Sequence, residues 1–470
     1  MHEYDGNRES DSRPQFIGVN TTFRRMRICH LVTLATLLAA RDSSAQSIEA
    51  GAQLVPVVTR ADPTATRADL TEGYLAQPIA MVHAKRGSLR GIGTLNLEGL
   101  SMQRGELVTG AFGEGFVDRR HPHAYIHELL AGVEFPRDGT AQRPPFDASL
   151  FFGRGFAPFG SDDPMTRPFE KYPVNHHLGQ VLERVLAVAA VRYGPIIGEF
   201  GVFNGDEPTG PAAAPNWGRF GDSWSTRLTL LPSPHTELSG SVAHVTSPEI
   251  RAGHGLDQQK SSLVARYDFD HANGSRQYAL VEWAHTDDTD HGTTINSLYT
   301  VLGEAAVCRA DAILAARLER TDRPEEEPTS DPFRTPRPPS DLSNLGESRW
   351  TTLTIAVASP SVKAGFVRGR PFIEVARIWV APGNPAGIFN PELRYGTDRL
   401  WMFTLGLRLT AGMMHERMGR YGAALPDAVQ TLPAPAKSDS MPPDMPNMPG
   451  MPSTKPPMQS SMHMNMRCHL

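Results

Sequence analysis

The chain has 470 residues, of which 40% are hydrophobic and 21% are charged, and its formal net charge is −5. This length is sufficient for one large domain or two ordinary ones, and the mild acidity argues against nucleic acid as a partner. The sequence contains no apolar run of about 18 or more residues, which argues against a transmembrane helix. Its cysteines are Cys29, Cys308 and Cys468, too few for a disulfide scaffold.

The N-terminal region predicts a secretory signal that begins inside the chain rather than at its first residue. Three arginines precede an apolar run over 28–40, which is too short to span a bilayer, and small residues then stand ahead of Gln46. This layout predicts a non-native N-terminal extension over 1–25 and a signal peptide over 26–45. The alternative is a cytosolic tail before a membrane anchor, against which the short apolar run argues.

The mature chain is predicted to begin with a periplasmic segment over 46–75, followed by amphipathic strands over 76–422. Successive strand side chains point to opposite faces, so alternation of apolar and polar residues gives each strand one apolar face. The clear strands cover 94–99, 224–230, 237–242, 263–269, 314–319, 352–357 and 401–411. Weaker strands cover 79–85, 148–152, 192–203 and 372–380.

The last predicted strand, 401–411, shows the alternation best. Its odd positions carry Trp, Phe, Leu, Leu, Leu and Ala, and its even positions carry Met, Thr, Gly, Arg and Thr. A strand that crosses an outer membrane needs about 9–11 residues, with aromatic side chains near the interface. The apolar face of this segment is therefore predicted to contact lipid.

Connections of two lengths separate the predicted strands. Hairpin-sized turns lie at 232–234 and 270–275, whereas the connections over 207–221 and 321–347 are long and polar. Outer-membrane barrels alternate short periplasmic turns with long loops in this way. We therefore predict an all-β fold, an antiparallel transmembrane β-barrel of about 12–16 strands. The alternative is a soluble β-sandwich or barrel, which shares the alternation but does not explain the signal peptide.

Charged residues recur on the polar face of the predicted strands and are expected to line a wet lumen. From alternation alone, the pore-lining residues are Arg227, Arg266, Glu282, Arg317, Glu319 and Arg408. A register shift of one residue would reverse the face of each. The segment after residue 153 is predicted either to fold inward or to form an extracellular loop. Its acidic pair at 162–163 and nearby basic residues form opposed charge rows that select solutes, or they are solvated loop charges.

A group of histidines suggests a metal site. His121 and His123 share a face if their segment is a strand, and His123 and His127 share one if it is a helix. Either pair would place two imidazoles on a metal, with His176 and His177 as candidate third and fourth donors. The alternative, which the sequence favours, is a polar constriction of the lumen.

The C-terminal tail, 423–470, differs in composition from the rest of the chain. Eight of the 17 methionines lie from Met441 onward, among prolines and serines that prevent helix and sheet, so the tail is predicted to be disordered. Thioether, thiol and imidazole groups favour Cu(I). No cofactor is expected to be required, but Cu(I) binding is predicted through Met462, His463, Met464, Met466, Cys468 and His469.

Three motifs resemble those of bacterial porin-like outer-membrane proteins, namely FAPFGSDDP at 156–164, YPVNHH at 172–177 and FNGDEP at 203–208. The resemblance continues loosely to MMHERMGRYG at 413–422, and it implies a β-barrel channel over most of 76–422. The Met- and His-rich extension resembles that of copper-resistance outer-membrane proteins. This second resemblance implies an envelope copper-binding protein as the alternative function.

Together these observations predict an outer-membrane channel for passive diffusion of small solutes rather than an enzyme. Asn175 and His176 are similar to the Asn-His pair of outer-membrane phospholipases, but no serine follows closely to act as nucleophile. The predicted location is the bacterial outer membrane, with the tail in the periplasm. The predicted partners are outer-membrane lipid, small solutes and, for the alternative function, copper ions. Nucleic acid is not expected, and an oligomer is compatible with the sequence.

Overall fold

The computed structural model describes residues 46–62, 69–101, 123–137, 146–174, 176–271, 273–326, 344–383, 390–414 and 417–425. The predicted N-terminal extension, 1–25, and signal peptide, 26–45, lie outside these ranges, as does the predicted tail beyond residue 425. Most described residues belong to β-strands.

Seventeen strands are present in the described residues. The first nine are β1 Gln46–Asp62, β2 Leu70–Arg86, β3 Leu89–Asn96, β4 Ile126–Arg137, β5 Phe146–Gly155, β6 Arg184–Tyr193, β7 Ile196–Phe203, β8 Ser223–Ser233 and β9 Thr236–Val245. The remaining eight are β10 Asp257–Asp270, β11 Arg276–Asp290, β12 Thr293–Arg309, β13 Ala312–Glu326, β14 Asn344–Ala358, β15 Val362–Ala364, β16 Val367–Pro382 and β17 Arg399–Gly412.

The strands close into a barrel. Each strand is hydrogen-bonded to the next, and β1 pairs antiparallel with β17 as well as pairing with β2. The exception is the three-residue β15, which pairs with β16 while β14 pairs with β16 directly. Sixteen of the described strands therefore form the wall, at the upper end of the predicted range. The predicted all-β antiparallel barrel is confirmed.

The helices of the described residues are short and lie in the connections between strands. They are α1 Glu98–Ser101, α2 His176–Gly179 and α3 Pro391–Tyr395. Single 3-10 turns cover Pro164–Thr166, Trp217–Arg219 and Gly422–Ala424. Among these elements, no helix has the length and apolarity that crossing a bilayer requires.

The barrel begins earlier in the chain than the sequence predicts. β1 closes the wall against β17, so the expected periplasmic segment 46–75 is corrected to include a wall strand. Val55 is buried in the interior, whereas Leu54 and Val58 are exposed on the outside. Because both faces of β1 are apolar, no alternation of apolar and polar residues marks it as a strand.

The two ends of the barrel differ in the length of their connections. At the short-turn end, four pairs of strands are joined by two residues each, at 87–88, 194–195, 234–235 and 310–311. At the opposite end the connections that precede β4, β6 and β8 are long. Gly51 of β1 pairs with Gly412 of β17, so the wall starts and finishes at the short-turn end. The predicted alternation of short turns and long loops is therefore present for these strands, whereas the two-residue connection 291–292 between β11 and β12 lies at the opposite end.

Side chains alternate between exposed and buried along the wall strands. In β13, Leu314 and Leu318 are 57% and 56% exposed, whereas Ala315 and Arg317 are each 1% exposed. The same alternation runs along β8, β9 and the first half of β17. The exposed positions carry large apolar and aromatic side chains, so the outside of the wall is apolar.

The interior of the barrel has an apolar side and a charged side. Strands β1–β6 contribute mainly apolar inward residues, among them Val57, Ile79, Met81, Leu130, Phe151, Leu186 and Val188. Strands β7–β13 each contribute a charged inward residue, and these form the charged half-belt: Glu199, Arg227, Glu237, Arg266, Glu282, Glu304 and Arg317. The polar lumen that the sequence predicts is thus most highly charged along β7–β13, and single polar or charged residues such as Thr59, Glu128 and Glu374 enter the interior from other strands.

Candidate functional site

The connection between β5 and β6 turns into the barrel and is the candidate functional element. Its described residues, 156–174 and 176–183, are termed the inward segment. The N–H of Gly160 donates to Ser241 Oγ of β9 at 2.9 Å, whereas Lys171 Nζ donates to Thr59 Oγ1 of β1 at 3.1 Å. Since β1 and β9 lie on opposite sides of the sixteen-stranded wall, this segment spans the interior. Of the two predicted alternatives, the inward fold is the one present.

The residues after β17 also enter the interior. This C-terminal segment, 417–425, begins at the short-turn end, where β17 finishes. The hydroxyl of Tyr421 donates to Glu128 Oε1 at 2.9 Å and accepts the N–H of Phe156 at 2.9 Å. The N–H of Asp163 donates to the carbonyl of Met418 at 3.3 Å. The two segments therefore enter from opposite ends of the barrel and meet inside it.

A small cavity lies where the two segments meet. Its volume is about 10 Å³, and its lining includes Phe156, Asp163, Val181 and Met418. This is room for roughly one water molecule. The interior is therefore filled by side chains at this level.

The carboxylate of Asp162 joins the inward segment, the C-terminal segment and the wall. Its oxygens lie 2.9 Å from Arg266 Nη1, 2.5 Å from Arg417 Nε and 3.4 Å from Arg420 Nε. Burial alone would raise the pKa of Asp162, but the guanidinium groups, that of Arg417 foremost, hold it below the usual range. Glu237 of β9 pairs with both C-terminal arginines, at 2.8 and 2.5 Å. Ion pairs thus hold the inward segment in place, in addition to the packing of its side chains.

Arg167 reverses this arrangement, because here a cation of the inward segment lies between two acids of the wall. Its Nη2 is 3.6 Å from Glu282 Oε2, and its Nη1 is 3.7 Å from Glu304 Oε1. Arg317 pairs with Glu304 at 2.9 Å and donates to the carbonyl of Lys171 at 2.8 Å. These charged groups are almost fully buried, where an unpaired charge would be costly.

The backbone of the inward segment is held by an acid of β16. Glu374 accepts the N–H of Glu170 at 2.9 Å and that of Lys171 at 3.1 Å. Arg408 of β17 donates to the carbonyl of Phe169 at 3.1 Å. Burial raises the pKa of Glu170 to about 7, and the ion pair with Lys171, at 2.7 Å, opposes that rise. Glu170 is therefore a group whose ionisation changes near neutral pH.

All six residues predicted to line a pore have side chains in the interior and contact the inward segment. Backbone carbonyls of the segment are the partners of Arg227, Arg317 and Arg408. Side chains or a backbone N–H of the segment are the partners of Arg266, Glu282 and Glu319. Their pore-lining role stays a prediction, since in the described state these groups bind protein instead of facing an open channel.

The histidines form a buried cluster with a carboxylate that the sequence did not reveal. His123 Nδ1 and His127 Nδ1 lie 3.2 and 2.6 Å from Glu183 Oε1. The ring of His176 stacks on that of His123, with centroids 5.9 Å apart. Of the two alternatives left open by the sequence, the strand is the one present, because β4 begins at Ile126. His123 and His127 nevertheless lie close together, since both rings contact Glu183. His121 and the side chain of His177 lie outside the described residues.

The predicted copper ligands of the tail also lie outside the described residues, so Cu(I) binding stays a prediction for Met462, His463, Met464, Met466, Cys468 and His469. Asn175, the first residue of the phospholipase-like pair, is likewise outside them. Cys308 is buried in β12 and is disulfide-bonded.

The sequence pattern does not predict several partners of the inward segment. Glu237 alternates with Leu238 in a predicted strand, so its inward direction was visible, but nothing in the pattern tied it to a cation. Arg417 and Arg420 follow directly after the last predicted strand, and their positive charge was the available signal for an acidic partner. Nothing in the sequence around Glu183 gives such a signal, because Glu183 lies just ahead of β6 and meets its histidine partners only in the folded chain.

No protein-family model matches the chain, and no curated protein matches it. Several solved barrels are similar in form. The anion-selective porin from Comamonas acidovorans is 10% identical over 78% of this chain and 100% of its own, with a TM-score of 0.43. The loop L8 deletion mutant of OmpT, an outer-membrane protein of Vibrio cholerae, is 11% identical over 78% and 100%, with a TM-score of 0.44. The outer-membrane protein opdK from Pseudomonas aeruginosa is 9% identical over 78% and 99%, with a TM-score of 0.37. At these values, function has to be argued from the chain's own residues.

Proposed function

We propose that this chain is a bacterial outer-membrane channel for small solutes, closed in the described state by the inward segment and the C-terminal segment. The observation that carries the proposal is the division of the wall. Outward positions are mostly apolar and exposed, while each of seven successive strands carries a charged inward residue. An exposed apolar surface of this extent calls for lipid around it, and a closed barrel satisfies its backbone hydrogen bonds within the bilayer.

The ends of the barrel support an orientation in the membrane. In outer-membrane barrels the short turns lie on the periplasmic side. Gly51 and Gly412 pair at the short-turn end, so both ends of the wall would lie on the periplasmic side. The tail beyond residue 425 would then start in the periplasm, and the C-terminal segment would close the barrel from that side.

The contacts of the inward segment support a lumen that opens. Toward the charged half-belt these contacts are ion pairs and hydrogen bonds, such as that of Arg227 with the carbonyl of Gly160 at 3.2 Å. Water and ions replace such contacts individually, whereas close-packed apolar side chains must separate together. With the segment displaced, the acids and bases of the half-belt would line the path and select charged solutes.

The substitution Asp162→Asn tests the proposal through single-channel current in planar bilayers. It removes the charge that three arginines share, so the inward segment is held less firmly and the channel opens more often than in the wild type. Asp322→Asn is the matched control, because Asp322 pairs with Arg349 between neighbouring wall strands at 2.5 Å. The control should conduct as the wild type does.

Two outcomes would refute the proposal. Heat-modifiable migration on a gel first verifies that each variant is folded. If the folded wild type and folded Asp162→Asn both pass no current in lipid, the chain is not a channel. If the folded protein stays in solution without detergent, the membrane location is wrong.

A further inference from the structure

The cluster of His123, His127 and Glu183 has no part in the proposed channel, and we infer that it is a binding site for a divalent cation of the Zn²⁺ class. All three side chains are buried, and one candidate ligand atom from each lies within 4.8 Å of the others. Two imidazoles and a carboxylate are a donor set that Zn²⁺ takes in proteins, whereas Mg²⁺ and Ca²⁺ prefer oxygen donors. Water would complete the coordination.

Both imidazoles present the same ring nitrogen to the same carboxylate oxygen. Glu183 Oε1 lies 3.2 Å from His123 Nδ1 and 2.6 Å from His127 Nδ1. Donor atoms around a tetrahedral Zn²⁺ lie roughly 3.4 Å apart when its bonds are near 2.1 Å, which is close to the two separations from Glu183 Oε1. The donors converge from three places, namely the residues that precede β4 (His123), β4 itself (His127) and the end of the inward segment (Glu183).

Neighbouring groups hold these donors in orientations that suit a metal ligand. The second ring nitrogen of His127, Nε2, lies 3.4 Å from Asp163 Oδ2, which is the carboxylate–histidine arrangement found behind metal-bound imidazoles. The N–H of Ala124 lies 3.0 and 2.9 Å from the two oxygens of Glu183. Glu183 has a φ of 59°, a left-handed conformation that a non-glycine residue keeps only where its surroundings impose it.

Two ring nitrogens of the cluster lack a hydrogen-bond partner among the described residues, namely Nε2 of His123 and Nε2 of His127, although the latter lies 3.4 Å from Asp163. His123 is 7% exposed, and His127 is fully buried. Buried polar atoms are nearly always paired, and an exception points to a water or an ion in the vicinity. A bound cation and its water ligands would provide polar partners within the cluster.

Because of where the site lies, a bound ion would have a structural effect. Glu183 is the last residue of the inward segment, immediately before β6, whereas His127 belongs to β4. A cation bound by both would tie the returning end of the inward segment to the wall. The ion would therefore fix one end of the segment independently of the ion pairs at Asp162.

The test is titration of the full-length protein, folded in detergent, with Co²⁺ and then Zn²⁺. The parent carries His463→Gln and His469→Gln, which remove the imidazoles of the tail. Four-coordinate Co²⁺ absorbs visible light, and we expect about one equivalent to bind with that absorption and to be displaced by Zn²⁺. Glu183→Gln should weaken binding by about 100-fold or more, since loss of a partner behind a ligand already costs 10–100-fold.

His285→Gln is the matched control, because His285 Nε2 pairs with Asp287 at 3.1 Å and no second imidazole of the described residues pairs with that carboxylate. It should bind Co²⁺ as the parent does. Absence of the absorption from the folded parent, or its persistence at full affinity in Glu183→Gln, would overturn the inference. Should Glu183→Gln lose its heat-modifiable migration, His123→Gln replaces it. Should neither variant fold, presence or absence of the absorption in the parent decides the question.

Discussion

The two sides of the barrel interior hold the inward segment by different means. On the side of β1–β6, apolar wall residues such as Met81 and Phe151 belong to one cluster with Phe156, Phe159 and Tyr172 of the segment. On the side of β7–β13, the segment meets the charged half-belt mainly through ion pairs and backbone hydrogen bonds, although Phe169 also belongs to an apolar cluster there with Leu280 and Leu302. The apolar side therefore mainly supplies stability, whereas the charged side mainly supplies contacts which water and ions can replace.

The largest expected effect is on the apolar side. Phe151 is 1% exposed, and its ring lies 5.8 Å from that of Tyr421. Phe151→Ala should lower the free energy of unfolding by about 4 kcal/mol, through lost burial and the cavity left behind. Unfolding by urea in lipid vesicles measures this. The outward Phe403→Ala is the control and should lose less, and equal losses would show that the apolar interior is not the main source of stability.

The next effect is on the charged side. Arg420 pairs with Asp162, Glu199 and Glu237. Arg420→Gln should lower the free energy of unfolding by about 3 kcal/mol, because it leaves buried carboxylates short of a cation. In contrast to Phe151→Ala, it should also raise the open probability in bilayers. An Arg420→Gln protein with unchanged stability and unchanged current would remove the distinction between the two sides.

A pH-dependent effect is expected at Glu170, whose pKa is raised by burial to about 7 from a usual value of 4.5. Between these two values the unfolded chain loses its proton while the folded protein retains it, so the folded state becomes less stable as pH rises through this window. The Glu170→Gln variant has no carboxyl group at this position and so does not take part in this titration. Relative to the wild type, its free energy of unfolding should increase by on the order of 2 kcal/mol from pH 4.5 to pH 7. Urea titrations of both proteins at several pH values test this, and a constant difference would contradict it.

The smallest effect is expected outside the interior. Arg60 and Asp69 form a pair at 2.9 Å in which both side chains are 54% exposed. Arg60→Gln should change the free energy of unfolding by no more than about 0.5 kcal/mol, because solvent screens such a pair. It serves as the baseline for Arg420→Gln in the same urea titrations. A loss as large as that of Arg420→Gln would mean that burial does not set the strength of these pairs.

The sequence predicts the wall better than what fills it. Where one face of a strand is polar, as at Arg317 and Glu319, alternation identifies both the strand and its inward side. Where both faces are apolar, as in β1, the same rule has no signal. The partners of the inward residues depend on contacts between distant parts of the chain, such as Asp162 with Arg420. Periodicity contains no information on such contacts, so the filled interior and the role of Glu183 could not be predicted.

Backbone hydrogen–deuterium exchange of the inward segment in lipid tests most directly whether it fills the barrel. In the structure the N–H groups of Gly160, Glu170 and Val174 are buried and donate to wall side chains. We predict that these amides exchange as slowly as those of the adjoining strands β5 and β6. Exchange at the rate of an exposed loop, with the strands still protected, would contradict a barrel closed from within.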